Sequence, residues 1–189
     1  MFLSKTDSQL FFKIWLDLVY YVNFRHKVVP VNPKPGFEDE IPVEPQDLFK
    51  IRNALWEHPQ WIDYYLLSDD KPTMSQEEHE ILAGWRAHFV KGDFFLIAGL
   101  NKYAAVVSDE KRPRLFGVTG LTAPLVNVYK KPLPLKARLV LLPFKGQIIY
   151  DSITELYETS FGFFKRFSLY RKYLRLRKTS GFIEKLTGQ

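Results

Sequence analysis

The spacing of apolar residues changes from helical to strand-like close to Gly92 in this 189-residue chain. Before that point apolar side chains recur at helical intervals, for example at Ile81, Trp85 and Phe89. After it come short runs rich in β-branched and aromatic residues, bounded by glycine or turn residues. A block of helices followed by a block of strands is typical of the α+β class. We therefore predict a helical N-terminal half packed on a small, mostly antiparallel sheet or barrel of about five strands, with a basic helix at the C-terminus.

The first helix is predicted to run to about Asn23. Asp7 or Ser8 can cap its N-terminus, because a short polar side chain there accepts a hydrogen bond from a free backbone N–H. Lys13 and Asp17 lie four positions apart in the same helix. That spacing places them on one face, so we expect them to form an ion pair.

Three further helices are predicted before residue 90. Pro45 and Pro59 each suit the first turn of a helix, where proline costs no hydrogen bond. Ser75 and Glu78 have the spacing of a capping box. The expected bounds are about 45–57, 59–65 and 75–90.

A proline-rich segment at 28–45 separates the first helix from the second. Its five prolines disfavour a helix and favour extended backbone. Its acidic patch consists of Glu38, Asp39 and Glu40. The segment is interpreted either as a strap across the core or as a mobile linker. We expect one compact unit made of a helical region at 1–90, a β-rich region at 91–159, and a basic helix and tail at 160–189.

Five strands are predicted in the β-rich region. Short loops join most of them, and loops of that length suit antiparallel neighbours better than βαβ crossovers. The sequence therefore predicts a meander or a small barrel. The expected strands are 94–98, 103–107, 115–119, 135–144 and 147–150.

A hairpin motif occupies the last two of these strands. The run from Leu139 to Asp151 reads LVLLPFKGQIIYD, and Phe116 to Thr122 upstream reads FGVTGLT. Together they resemble a signature found in a group of uncharacterised bacterial proteins of unknown function. The resemblance covers about a third of the chain and implies no activity. Some related chains have a cysteine-rich zinc tail, and no such role carries over to a chain without cysteine.

The hairpin places an aspartate at its end. Pro143 ends the pairing of one strand, and Gly146 supplies the turn. Asp151 is then either the cap of a helix that starts at Ser152 or a functional carboxylate. The cap is the favoured interpretation, because an aspartate before a helix has a backbone partner.

Positive charge is concentrated at the C-terminal end. Residues 160–189 contain eight basic residues against one acid, Glu184, which is a net charge of +7. The rest of the chain has 19 basic and 20 acidic residues, which is −1. The whole positive excess of the protein therefore lies in this segment.

The same segment is predicted to form a helix over about 163–178. Its apolar residues at helical spacing make one narrow stripe, formed by Phe163, Phe167, Tyr170 and Leu174. Basic residues flank it on both sides, and clustered cations beside tyrosines are typical of surfaces that bind phosphates and bases. Docking on an acidic protein, contact with an anionic membrane, and simple packing with a solvated basic rim are the alternatives. The expected contact residues are Lys165, Arg171, Lys172, Arg175 and Lys178.

Several kinds of chemistry find no support in the sequence. The absence of cysteine excludes disulfides, thiolate nucleophiles and cysteine zinc sites. The four histidines lack paired ligand spacing, and neither a nucleophile elbow nor a phosphate loop is present. We therefore expect no catalytic, cofactor-binding or metal-binding residues. The alternative is an enzyme acting on a small or phosphorylated substrate, with Asp151 or His88 near a pocket.

The apolar run from Leu10 to Phe24 is too short to span a bilayer and is interrupted by charged residues. It also lacks the pattern of a signal peptide, so we expect a cytoplasmic protein.

The predicted function is a non-enzymatic binding protein that contacts nucleic acid through the basic helix. A protein-binding or immunity-type role is the other possibility, with Trp56, Trp61 and Tyr64 as its exposed aromatic patch. The sequence does not indicate an oligomeric state.

Overall fold

The computed structural model describes residues 1–30, 44–158 and 160–186. Within them lie six helices and six strands, with the first four helices before the first strand. The α+β class predicted from the change in apolar spacing is therefore confirmed. The acidic patch of the predicted strap lies outside the described residues.

The chain divides into two compact units. A helical unit is formed by Gln9–Ala87, and a β-rich unit by Met1–Ser8 together with His88–Gln189. The helices of the first half are α1 (Lys5–His26), α2 (Pro45–Glu57), α3 (Trp61–Leu67) and α4 (Gln76–His88).

Aromatic residues form much of the helical unit's core. The rings of Phe11 and Trp85 lie 5.7 Å apart between α1 and α4, and those of Tyr21 and Tyr65 lie 4.9 Å apart between α1 and α3. These four side chains are nearly inaccessible to water. Ring pairs at such distances add specific contacts to the apolar area they bury, so they hold α1 against both neighbours.

The predicted helix starts are partly correct. The Ser75 hydroxyl accepts a hydrogen bond from the Glu78 N–H at 3.2 Å, and Glu78 accepts one from the Ser75 N–H at 2.7 Å, which confirms the capping box. The start of α1 is earlier than predicted. Ser4, not Asp7 or Ser8, caps it, because the Ser4 hydroxyl accepts from the Asp7 N–H at 3.1 Å.

Lys13 forms a long-range ion pair. Its partner is Glu78, whose side chain is mostly buried. Burial alone would raise the pKa of Glu78, but hydrogen bonds from Lys13 and Ser75 outweigh it and lower that pKa. Glu78 therefore both closes the capping box of α4 and ties α4 to α1.

Six strands build the β-rich unit. They are β1 (Val90–Gly99), β2 (Ala104–Ser108), β3 (Leu115–Val118), β4 (Leu135–Phe144), β5 (Gln147–Tyr150) and β6 (Glu155–Leu156). Their order is β1-β2-β3-β5-β4-β6, and β1 also pairs with β4. The first five strands therefore close into a ring, and β6 adds to β4 outside it.

The length of β1 makes this closure feasible. Its first part, Val90–Leu96, pairs with β4, while Phe94–Gly99 pairs with β2. A register shift between Leu96 and Ala98 interrupts the second ladder. Such bulges sharpen the local bend and twist of a strand, which lets one strand contribute to both sides of a small barrel. The pairings among these six strands are antiparallel as predicted, except for β3 and β5, which run parallel through the pair Val118 and Ile148.

Alternation along the strands gives the barrel two apolar faces. Phe94 and Phe116 point to one side, where their rings lie 5.9 Å apart. Their neighbours Phe95 and Leu115 point to the other side and belong to a second buried cluster. Successive side chains of a strand point to opposite faces, so the outer face of β1–β3 needs a cover of its own.

The segment after β5 does not form the predicted helix. Ser152 has a φ of 68°, and the chain continues in extended form into β6. The prediction that Asp151 caps a helix is therefore wrong. Asp151 is fully buried, and its N–H donates to the Val140 carbonyl at 3.1 Å.

Two helices complete this unit. The short α5 (Leu125–Val128) lies between β3 and β4, and α6 (Phe163–Thr179) follows β6. As the sequence indicated, Gly181 ends α6, with a φ of 70° that glycine adopts readily. Beyond it, Ile183 exchanges hydrogen bonds with β3: its N–H donates to Leu115 at 2.8 Å, and its carbonyl accepts from Gly117 at 3.0 Å.

We expect Phe116→Ala to lower the free energy of unfolding by about 3–5 kcal/mol, because it leaves a cavity where a fully buried ring stood. Urea unfolding followed by circular dichroism measures this. Phe164→Ala is the matched control, since that ring is exposed, and it should change stability by less than about 0.5 kcal/mol. Equal effects from the two substitutions would contradict the assigned barrel interior.

Candidate functional site

Helix α6 covers the outer face of β1–β3. Leu169, Tyr173 and Leu176 are its buried residues, and their spacing of four and three places them on one stripe. They pack in one cluster with strand residues Phe95, Ile97, Ala105, Val107 and Leu115. This stripe fixes which sides of α6 face water.

The stripe predicted from the sequence is not the docked one. Phe163, Phe167, Tyr170 and Leu174 are all exposed. Both stripes have helical spacing, and at 3.6 residues per turn they lie roughly 120° apart around the helix. Periodicity therefore identified an apolar face without indicating which face the sheet would cover.

The cations of α6 have no partner carboxylate within the described part of the chain. No ion pair there involves any of its seven basic residues, and α6 itself contains no acid. The one acid of the C-terminal segment, Glu184, pairs with Lys102 and accepts a hydrogen bond from the Tyr103 hydroxyl at 3.0 Å. The positive charge of α6 is therefore not neutralised by residues 1–30, 44–158 or 160–186.

A groove of about 420 Å³ runs along one flank of α6, which we call the basic groove. Its floor includes Phe95, and Phe167 contributes an aromatic edge. Four of the five predicted contact residues line it, namely Lys165, Arg171, Lys172 and Arg175. Lys178, the fifth, is exposed on α6 but is not among the residues lining the groove.

One carboxylate also lines the basic groove. Asp109 lies 2.9 Å from the Nζ of Lys136, which is 3.4 Å from Asp93 as well. The hydrogen bond from Lys136 to Asp109 is the main cause that raises the pKa of Lys136. The charge of Asp109 is thus already compensated, and the four cations of α6 remain available to a ligand.

A network of charged residues lies next to the basic groove on β1 and β4. Asp93 and Arg138 are directly opposed in the strand register, with Arg138 Nε 3.1 Å from Asp93 Oδ1. The Tyr157 hydroxyl donates to the same oxygen at 2.8 Å and accepts from Arg138 at 2.9 Å. Sequence reasoning missed this network, because no spacing along the chain reveals which residues a strand register will oppose.

The pKa of Asp93 reflects these contacts. Partial burial acts to raise it, but the hydrogen bonds from Tyr157 and Arg138 and the charge of Lys136 outweigh burial, so the pKa is lowered from 3.8. The same hydrogen bond is the main cause that raises the pKa of Tyr157. The network is satisfied internally, which is typical of a structural ion-pair cluster.

The residues considered for catalysis lie elsewhere. Asp151 is fully buried and His88 half-buried, and neither lines the basic groove. Within the described residues no group of three or more histidines and carboxylates could hold a metal ion. No helix there combines the length and apolarity needed to cross a bilayer.

The predicted aromatic patch of the helical unit does not form one exposed surface. Trp56 is buried. Trp61 is half-buried between two imidazoles, with ring distances of 3.8 Å to His26 and 4.7 Å to His58. Tyr64 alone of the three is exposed.

Comparisons with models of protein families, with curated proteins and with solved structures give no match. The resemblance of the Leu139–Asp151 run to uncharacterised bacterial proteins therefore stays a prediction. The function proposed below depends on the geometry and charge of the described residues.

We expect Leu169→Ala to lower the free energy of unfolding by about 2–5 kcal/mol, because Leu169 is 4% exposed and belongs to the docked stripe. Leu174→Ala removes the same atoms from a side chain that is 45% exposed, and should change stability by less than about 0.5 kcal/mol. Urea unfolding of both variants measures the difference. The reverse order would mean that the predicted stripe docks after all.

We expect Asp93→Asn to destabilise the protein by about 1 kcal/mol near neutral pH and to have less effect in acid. Folding lowers the pKa of Asp93 below 3.8, so its ion pairs contribute stability that is present above that pH and lost as pH falls through the folded pKa. Urea unfolding across a pH series measures the difference in unfolding free energy between wild type and variant, which should shrink as pH falls. Asp69→Asn, at an exposed turn carboxylate, is the control and should show no such gap.

Proposed function

We propose that this protein is a non-enzymatic cytoplasmic binding protein and that the basic groove binds single-stranded nucleic acid. The observation that supports this most is the set of four cations along one groove, without carboxylate partners in the described residues. Clustered lysine and arginine side chains bind phosphates and release their counterions, which is the main driving force for nonspecific nucleic-acid binding.

The dimensions of the basic groove suit a short stretch of one strand. Lys165 and Arg175 are ten residues apart, which is about 15 Å along a helix. A groove of that length can contact a few successive phosphates of one nucleic-acid strand.

Aromatic side chains beside the cations support a single strand over a duplex. Phe167 lines the basic groove, and the guanidinium of Arg171 lies 5.8 Å from the centre of its ring. Unpaired bases stack on exposed rings and on arginine planes, whereas the bases of a duplex are already stacked on one another. A strand held by its phosphates could place a base on Phe167.

The strand order of the barrel is a second observation that favours nucleic-acid binding. A ring in the order β1-β2-β3-β5-β4, with β3 and β5 parallel, is the topology of the OB fold, in which strands 2 and 3 face oligonucleotides. This likeness concerns topology alone and implies no activity. Here α6 covers that face, so a nucleic-acid strand would contact the cations of α6 and not the sheet.

We expect the wild-type protein to bind a single-stranded DNA oligonucleotide at low salt and to lose affinity steeply as salt rises. Changing Lys165, Arg171, Lys172 and Arg175 to Ala should reduce the slope of log affinity against log salt by about 3, since each lost contact removes about 0.7. Lys178→Ala, outside the basic groove, should change the slope by clearly less than the value of about 0.7 expected for one lost contact. Filter binding across a salt series measures all three proteins.

A matched control removes the same total charge elsewhere. Lys5, Lys111, Arg112 and Lys131 are exposed and lie outside the basic groove, so their replacement by Ala should leave most of the salt slope intact. Absent binding at low salt, or equal losses in the two four-site variants, would overturn the proposal. Binding of an acidic protein in place of DNA, with the same dependence on the four cations, would assign the basic groove to the acidic partner predicted as the alternative.

A further inference from the structure

The exposed stripe of α6 forms a continuous apolar ridge, which we call the aromatic ridge. Phe163 and Phe164 are 77% and 86% exposed, and Phe167, Tyr170 and Leu174 are about half exposed. The rings of Phe163 and Phe167 are stacked at 6.5 Å, and those of Phe163 and Phe164 meet edge to face at 5.8 Å. Exposing three adjacent phenylalanines to water is unfavourable, so a clustered patch of this kind usually marks a contact surface.

An apolar groove extends the aromatic ridge on the side away from the basic groove. Its volume is about 340 Å³, and Ile97 of β1 lines it with Leu133 and Pro134, which precede β4, together with ridge residues. Arg166 is the charged residue among those lining it. The apolar surface is thus wider than one helix face.

Cations border the aromatic ridge on both sides. On a helical projection Arg166 and Arg177 flank it on one side, and Arg171 and Lys178 on the other. All four are exposed. A second copy docking through the same face would bring two sets of these cations together, and no carboxylate on α6 could offset them. The complementary partner is a surface with an apolar part that contacts the aromatic ridge and negative charges that meet the bordering cations.

We propose that the aromatic ridge binds an anionic lipid membrane as a peripheral contact. Helices with aromatic and leucine residues on one face and arginine or lysine beside it lie in the plane of the bilayer interface. The rings would enter the region between headgroups and acyl chains, while the bordering cations meet lipid phosphates. The docked stripe points about 120° away, so the barrel would remain outside the bilayer.

The aromatic ridge shares Phe167 and its bordering Arg171 with the basic groove, and the remaining residues of the two surfaces differ. Lys165 and Lys172 point to the flank of α6 opposite the aromatic ridge, where they line the basic groove. Phe163 and Phe164 are not among the residues that line that groove. Variants of Lys165 and Lys172 therefore test the basic groove, and variants of Phe163 and Phe164 test the aromatic ridge.

Co-sedimentation with lipid vesicles tests the proposal. The wild-type protein should bind vesicles of phosphatidylcholine mixed with phosphatidylglycerol at least about tenfold more tightly than vesicles of phosphatidylcholine alone, because each bordering cation gains from the anionic surface. Phe163→Ser with Phe164→Ser should weaken binding to the anionic vesicles by about tenfold or more, since two rings no longer leave water. Leu67→Ser with Tyr64→Ser, an exposed apolar pair in the helical unit, is the matched control and should bind like the wild type.

Fluorescence adds a readout that does not depend on affinity. Phe164→Trp should shift its emission to shorter wavelength on anionic vesicles, and lipids brominated in the acyl chain should quench it beyond any quenching of the wild-type tryptophans. Urea unfolding checks that each variant is folded.

Three results would overturn the proposal: no binding of the folded wild type to anionic vesicles at low salt, no loss in the Phe163→Ser, Phe164→Ser variant, or no quenching of Phe164→Trp. If that double variant loses oligonucleotide affinity and vesicles do not bind, the aromatic ridge belongs to the nucleic-acid surface. Failure of oligonucleotide binding while vesicles still bind would overturn the proposed function and leave the membrane contact standing.

Discussion

The contact of three side chains on α6 with the outer face of the barrel sets the rest of the site. Leu169, Tyr173 and Leu176 fix the rotation of the helix about its own axis. Once that rotation is set, Lys165 and Lys172 lie on one flank, and the exposed rings with their bordering arginines lie on the other. A rotation by one residue would bury charged side chains that have no partner, which is far more costly than exposing a ring. The apolar contact therefore determines the electrostatics of the surface.

Much of the fold follows from local signals in the sequence. The helix at Pro45–Glu57 and the strands at 135–144 and 147–150 have the bounds that proline, glycine and apolar spacing predicted. The capping box of Ser75 and Glu78 could be predicted equally well, because its two hydrogen bonds join residues three positions apart. These features depend on neighbours in the chain, and the sequence displays such neighbours directly.

The errors all concern partners distant in sequence or choices between equivalent local patterns. Asp151 resembled a helix cap, yet the backbone turns at Ser152 and pairs as β6 instead. Lys13 also pairs with Glu78, 65 positions away, and no local spacing indicated that partner. The two stripes of α6 are equally periodic, so only the shape of the barrel decides between them. The cations of α6 could be named from the sequence alone. The groove that four of them line could not, because it depends on how α6 packs on the barrel.

The pairing of Ile183 with β3 has a consequence for how the barrel is completed. β3 meets β5 through one residue pair, and Ile183 supplies two hydrogen bonds to the neighbouring part of the same strand. That partner lies more than sixty positions further along the chain. Closing a loop of that length has an entropic cost that precedes the contact, and such non-local pairings slow folding. During synthesis the edge of β3 therefore stays incomplete until residue 183 has left the ribosome.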